Sequence, residues 1–389
     1  MPISLASLQP SCDARFAVRC YPRDYQQARD DFCVAAQRFG GRLAEYELPG
    51  RGARGERLVI DVARIGPPAA ARRVLVSSGL HGVEGFMGSA IQQAWLQSAA
   101  PHLREFLENN GLEVVLIHAL NPYGFSRERR VDADNIDLNR NFLLPDQAYT
   151  GTPQGYRELE PFLNPPGLPR HWDGYRLTAA GWILRRGISA LKEAVASGQY
   201  DFPRGLFFGG QQPSATARVV RQQSADWVGT ASRVIHLDLH SGLGRWGHCR
   251  LLMPVDEVRL RSWCAELFGV SLLDGAEARK RVSYPVRGTL IGWFNDVAGD
   301  CDYRGLVAEF GTYSPIRVLG ALRAENRVHH ATQRPQDQGQ AVRDELRECF
   351  CPGNRSWRTT VVRQGLELIA RAITGGLDDA RQTSPIRLE

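Results

Sequence analysis

No run of apolar residues in this chain approaches the roughly 18 that a membrane-spanning helix requires, so no membrane segment is expected. None of the eight cysteines, at positions 12, 20, 33, 249, 264, 301, 349 and 351, forms a C-x-x-C pair, and Cys349-Phe-Cys351 is too tight for a zinc knuckle. The stretch MPISLASLQPSCDARF has neither a basic leader nor a long apolar core, which argues against a secretory signal. These absences predict a cytoplasmic protein with reduced thiols. There is also no block of five or more like charges, no internal repeat and no low-complexity tract. The net charge of +6 is spread out, which suits a small anionic substrate or simply an arginine-rich composition. Neither nucleic acid nor membrane is expected as a partner.

What is present is an ordinary soluble composition, 43% hydrophobic and 23% charged, over 389 residues. That length allows one large domain or two. No shift in composition marks a boundary, so one domain over 1–389 is expected, with a core of motifs at about 57–330 and closing helices at 338–373. Short β-branched runs predict strands at 57–66, 72–79, 112–120, 205–210, 233–242, 248–254 and 304–311. Helical patterns fill 21–39, 86–98, 177–197, 214–228, 315–328, 338–349 and 356–373. The Pro-, Gly- and Tyr-rich stretch 143–175 reads as a long surface excursion. Strands alternating with helices predict a mostly parallel sheet covered on both faces. Sites in such sheets collect at the C-terminal ends of the strands.

Four polar motifs follow apolar strands. In SSGLHGVEGFMGS (77–89), His81 and Glu84 stand three residues apart. They suit either a polar turn that caps the next helix or two ligands of a catalytic zinc, which takes three protein ligands and leaves a position open. His240, closing the strand VIHLDLH, is the natural third ligand. His236, Asp238 and His240 share one face of that strand. Asp238 could orient a ring as an outer acceptor, and His236 is read as structural. His102, His118, His171, His248, His329 and His330 have no ligand-like context.

The stretch NPYGFSRERRVDADNIDLNRNF (121–142) mimics a calcium loop through Asp132, Asp134 and Asp137. It lacks the turn glycine at the sixth position and the glutamate at the twelfth, so calcium is rejected. Its arginines, 127, 129, 130 and 140, offer planar forks for carboxylates or oxyanions, or else pair with the loop's own acids. In LVAEFGTY (306–313), Glu309 ends an apolar run. It suits a general base beside a metal, or a salt-bridged strand end.

Taken together and in order, GLHGVEGFMGS, NPYGF, RRVDADNIDLNRNF, DLHSGLG and AEFGTY resemble the zinc carboxypeptidase (M14-type) superfamily, and within it a DUF2817-like bacterial branch. The resemblance runs from about residue 75 to 315. It implies a single α/β/α sandwich around a mixed, mostly parallel sheet of about eight strands. It implies one Zn2+ ion held by His81, Glu84 and His240, with Glu309 as general base and acid. It implies that Asn139 and Arg140 grip a substrate carboxylate, and that Arg130, with Arg129 as the competing choice, stabilises the oxyanion. Short spacing between the arginine pair and DLNR is nearer to the succinylglutamate desuccinylase and aspartoacylase group. Tyr284 and Tyr313 are the candidates for a mobile tyrosine. The activity implied is a metallo-carboxypeptidase acting on a small peptide, or alternatively an N-acyl amino acid deacylase. A zinc-binding protein without catalysis is the reading from another class, and the presence of Glu309 argues against it.

Overall fold

A computed structural model describes residues 12–99, 102–170, 174–253, 258–273, 286–331 and 336–375. Its strands are β1 (Arg42–Leu48), β2 (Leu58–Ile65), β3 (Arg72–Ser78), β4 (Leu112–His118), β5 (Arg233–Ser241), β6 (Cys249–Leu252) and β7 (Asp302–Phe310). They form one sheet in the order β1-β2-β4-β3-β5-β7-β6. The central four, β4-β3-β5-β7, run parallel, and β1, β2 and β6 add antiparallel pairings at the flanks. This is the expected mixed α/β architecture, with seven strands among the described residues rather than about eight.

Every residue of β4 is buried, as is all but the first of β3 and of β5. Strands buried on both faces require cover on both, which explains their continuous Val, Ile and Leu content. The cover comes from helices α1 (Tyr25–Arg38), α2 (Gly85–Ser98), α3 (Ala215–Val228), α4 (Leu290–Val297), α5 (Pro315–His330), α6 (Gln336–Phe350) and α7 (Arg355–Gly375). Helix α1 starts where the Asp24 side chain accepts from Gln27 N–H at 2.9 Å, a standard N-cap. It buries Tyr25, Ala28, Phe32, Ala35 and Ala36 at helical spacing. Helix α2 packs against both α1 and α7, and from Gly85 to Leu96 it is buried all round. At the N-terminal end of the parallel strands, fully buried Glu113 is paired with Arg42, Arg64 and Arg73 at 2.5, 2.9 and 3.0 Å.

One expectation about an element is corrected. Residues 205–210 form no strand: Phe207 has φ 58° and Gly210 φ 87°, and only an isolated bridge joins Phe208 to Gln199. The backbone there curls instead and uses its carbonyls on Gln199 and Asp137. Within the excursion 143–175, Gln154–Leu163 is a helix that buries Tyr156, Leu159 and Leu163. Tyr284 and His171 lie outside the described residues. All eight cysteines are free, and no described helix is long and apolar enough to cross a membrane.

Candidate metal centre

Strands β3, β5 and β7 bring the polar motifs together at their C-terminal ends. After β3, the chain turns through Gly79 into a short 3-10 helix, Gly82–Glu84, with His81 at its N-cap. Gly82 and Val83 donate their N–H groups to the carbonyls of Arg130 and Arg129, at 3.1 and 2.8 Å. This ties the His81–Glu84 loop to the arginine loop. A Cβ on Gly82 would lie 2.1 Å from the carbonyl carbon of Gly124, so only glycine allows that approach. His240 is near the end of β5, and Glu309 is its register partner on β7.

His81, Glu84 and His240 converge, all buried, with one ligand atom from each lying within 4.8 Å of the others. Glu84 Oε1 is 2.8 Å from His81 Nδ1, and Glu84 Oε2 is 3.0 Å from His240 Nδ1. The two Nδ1 atoms are 3.2 Å apart. Each ring turns its Nε2 to a carboxylate: His81 to Asp137 at 3.2 Å and His240 to Asp238 at 2.6 Å. With both Nε2 atoms directed at carboxylates, both Nδ1 atoms face Glu84 and each other, so positive charge, a proton or a metal ion, must lie between them. The donor set fits zinc: two imidazoles and a carboxylate.

The local field agrees with that demand. Burial would raise Glu84, but the rings of His81 and His240 outweigh it and hold the carboxyl below its usual range. Burial opposes charge on His240, yet Asp238 and Glu84 outweigh it and raise that ring. Glu309 behaves differently. Burial, and then the charge of Glu84, push it up to about 7. Its Oε1 accepts from Leu243 N–H at 2.8 Å.

The two neighbouring arginines part company. Arg130 sits beside the cluster, with Nε 3.0 Å from Asp137 Oδ2 and Nη1 3.6 Å from Glu84 Oε1. Its guanidinium also lies over the ring of Phe207, 5.7 Å from the centroid. Arg129 does not join them. It is buried against Glu325 at 2.6 Å and Asn135 at 3.1 Å, because the carboxylate of Glu325, itself buried, needs a partner there. Asn139 Oδ1 accepts from Leu290 N–H at 3.1 Å. Buried Arg140 gives Nη1 to the Asn139 carbonyl at 2.6 Å, and its Nε has no partner among the described residues. Desolvation lowers its pKa, against the charge of Asp137. Tyr313 gives its hydroxyl to Glu348 at 2.5 Å.

Two contributors escaped sequence reading. Asp137, visible there only as one acid of a false calcium loop, holds His81, Arg130 and the Asn139 N–H together. Phe207 backs Arg130 from a left-handed backbone that a bulky side chain rarely adopts. A Phe-Phe-Gly-Gly run carries no signal of either property.

The fold is a mixed sheet with a parallel centre and flanking helices, and His81, Glu84 and His240 meet at the ends of its strands. The chain belongs to the DUF2817 family, described as a protein family of unknown function, whose profile matches residues 21–364. Among solved structures, bovine thrombin-activatable fibrinolysis inhibitor in complex with tick carboxypeptidase inhibitor is similar over 91% of this chain and 97% of that one, at 12% identity and a TM-score of 0.51. The murein-tripeptide amidase of Escherichia coli O157 aligns over 74% and 93%, at 16% identity and a TM-score of 0.36. A metallo-carboxypeptidase of Burkholderia cenocepacia aligns over 89% and 68%, at 12% identity and 0.43. At such identities the likeness concerns the fold. No curated protein sequence matches the chain.

Proposed function

We propose that this protein is a zinc-dependent amide hydrolase that removes the C-terminal residue of a small, carboxylate-bearing peptide. The observation that carries the reading is the convergence of His81, Glu84 and His240 beside Glu309, a buried carboxyl that is the register partner of His240 on the neighbouring strand. A zinc ion held by those three side chains would polarise the scissile carbonyl and make water a nucleophile near neutral pH.

The remaining tasks fall to the chain's own groups. Leu243 N–H occupies Oε1 of Glu309, which leaves Oε2 to take a proton from the attacking water. A carboxyl near neutrality also returns that proton readily to the leaving amine. Arg130, anchored through Nε to Asp137, stabilises the oxyanion with its terminal nitrogens. Arg140 has a buried Nε without a partner among the described residues, a costly state that a substrate carboxylate would relieve with help from Asn139.

The test is a screen of zinc-loaded protein against short peptides with free and amidated C-termini, and against N-acyl amino acids. Free C-termini are expected to be required. Equal cleavage of amidated peptides would refute the clamp at Arg140, and preference for N-acyl amino acids would move the assignment to a deacylase. Glu309→Gln is expected to lower kcat by about 10²–10⁴-fold with zinc still stoichiometric. Near wild-type turnover in that variant would remove Glu309 from its role. Stoichiometric zinc with no hydrolysis of any substrate would favour a binding protein.

A further inference from the structure

Behind His240, a chain of buried polar groups continues away from the metal centre and across three strands. Asp238 Oδ2 meets His240 Nε2 at 2.6 Å. Asp238 Oδ1 accepts from the Ser77 hydroxyl of β3 at 2.6 Å. Ser77 Oγ is 2.8 Å from His236 Nε2, and His236 Nδ1 is 2.7 Å from the Tyr303 hydroxyl of β7. Ser77 and His236 are 0% exposed, Asp238 1% and Tyr303 9%.

The proton inventory gives this chain one direction. Ser77 owns a single hydroxyl proton, and at 2.6 Å from a carboxylate oxygen that proton must point to Asp238. Ser77 then has only lone pairs for His236, so Nε2 of His236 is the donor. A neutral ring with Nε2–H has a bare Nδ1, which accepts from Tyr303 O–H. Every donor from Tyr303 onward points toward Asp238, and Asp238 in turn accepts Nε2–H of His240. That last bond leaves Nδ1 of His240 as the ring's only ligand atom.

The surroundings are built to hold this order. Gly305 is the register partner of His236. A Cβ there would lie 2.7 Å from Cε1 and 3.0 Å from the hydroxyl of Tyr303, so a larger residue would bar the tyrosine from reaching across. Phe294 stacks on Tyr303 with centroids 5.8 Å apart, and meets the His236 ring edge-on at 5.3 Å.

We propose that Tyr303, His236 and Ser77 are positioning residues that act through Asp238 to fix which nitrogen of His240 faces the metal centre. The proposal rests on the zinc reading above for its consequence, and on the hydrogen-bond chain alone for its structure. Three measurements test it. In the metal-free protein, long-range 15N–1H correlation is expected to show His236 as the Nε2–H tautomer, and an Nδ1–H tautomer would overturn the relay whatever the metal. Zinc affinity by chelator competition is expected to fall about 10-fold in Ser77→Ala, the low end of the range for loss of a direct outer partner of a ligand, because Ser77 reaches His240 only through Asp238. A smaller loss of about 3–10-fold is expected in Tyr303→Phe, which removes one oxygen remote from the ligands and sits below that range. Co(II) spectra of both variants should shift from wild type. If both bind zinc within about twofold of wild type while the urea midpoint drops, the residues are packing only and the relay is refuted. If wild type binds no zinc, the zinc reading falls and takes the relay's role with it. Should Ser77→Ala fail to fold, Tyr303→Phe decides alone.

Discussion

Replacing Gly82 with alanine tests how the ligand loop is held. The added Cβ would lie 2.1 Å from the Gly124 carbonyl carbon, 2.2 Å from Phe125 N and 2.4 Å from Gly124 Cα. Carbon atoms pack at about 3.5–4.0 Å, so loop and helix must separate by about 1.5 Å. All three neighbours are backbone, and no side-chain rotation relieves the clash. Separation on that scale breaks the bonds from Gly82 N–H and Val83 N–H to Arg130 and Arg129. Two lost bonds at about 1 kcal/mol each, added to an overpacking cost of about 1–3 kcal/mol, give a loss of about 3–5 kcal/mol. His81 and Glu84 flank the displaced residue, and ligand distances tolerate only about 0.2 Å. Zinc affinity should therefore fall by more than about 100-fold, beyond the usual effect of an outer-shell change. Urea unfolding of the metal-free protein measures the first effect and chelator competition the second. The control is Gly181→Ala, inside the helix Tyr175–Ala196, where a Cβ meets nothing within 4 Å among the described residues, and a helix-interior alanine should be neutral or stabilising by up to about 1 kcal/mol. Wild-type stability and zinc affinity in Gly82→Ala would refute the argument that this contact clamps the ligands.

The two arginines should separate by phenotype. Arg129→Ala strands the buried carboxylate of Glu325 and is expected to lower unfolding free energy by about 3–5 kcal/mol. Arg130→Ala should lower kcat/KM by about 10²–10³-fold with a smaller change in stability, and the reverse pattern would exchange their roles. His118 carries a pH dependence of its own. Burial lowers its pKa to about 3, whereas in the unfolded chain it takes up a proton below about 6.5. The unfolded state thus binds more protons as pH falls from about 6.5 toward 3, so this stability is fully present above that window and is lost within it. At pH 5 the loss is about 2 kcal/mol. In His118→Phe, the difference in unfolding free energy between pH 7.5 and pH 5 should shrink by about that amount, and an unchanged difference would show that His118 does not carry it.

The central strands and the three residues that cluster at the candidate metal centre were legible because they depend on local pattern. β3 and β7 carry the short apolar runs VLV and LVA, β5 alternates in VIHLDLH, and each places its polar residue at or just beyond the strand end. What was not legible depends on partners distant in sequence. β1 was missed because it is an edge strand, half exposed, whose RLAEYEL carries charges on its open face. Glu45 and Glu47 answer Arg29 and Arg57 across space. The helix Gln154–Leu163 was hidden by its internal Pro161 and the prolines around it, although Tyr156, Leu159 and Leu163 recur on one face. Of two adjacent arginines, only the position of Glu325, nearly two hundred residues later, shows which one is structural. Asp137 likewise cannot be told from Asp132 or Asp134 until His81 is beside it.

The pairing of His240 with Glu309 across β5 and β7 makes the distance between the proposed metal ligand and the proposed proton carrier a property of the sheet's own spacing, about 4.8 Å between neighbouring strands. Insertions in exposed loops leave that ruler unaltered. A single residue inserted or deleted within β7 before Glu309 cannot be absorbed in the same way. It would reverse the parity of the strand and turn the carboxylate to the opposite face. The chemistry is thus insulated from change where the chain is irregular and exposed to it where the chain is most regular.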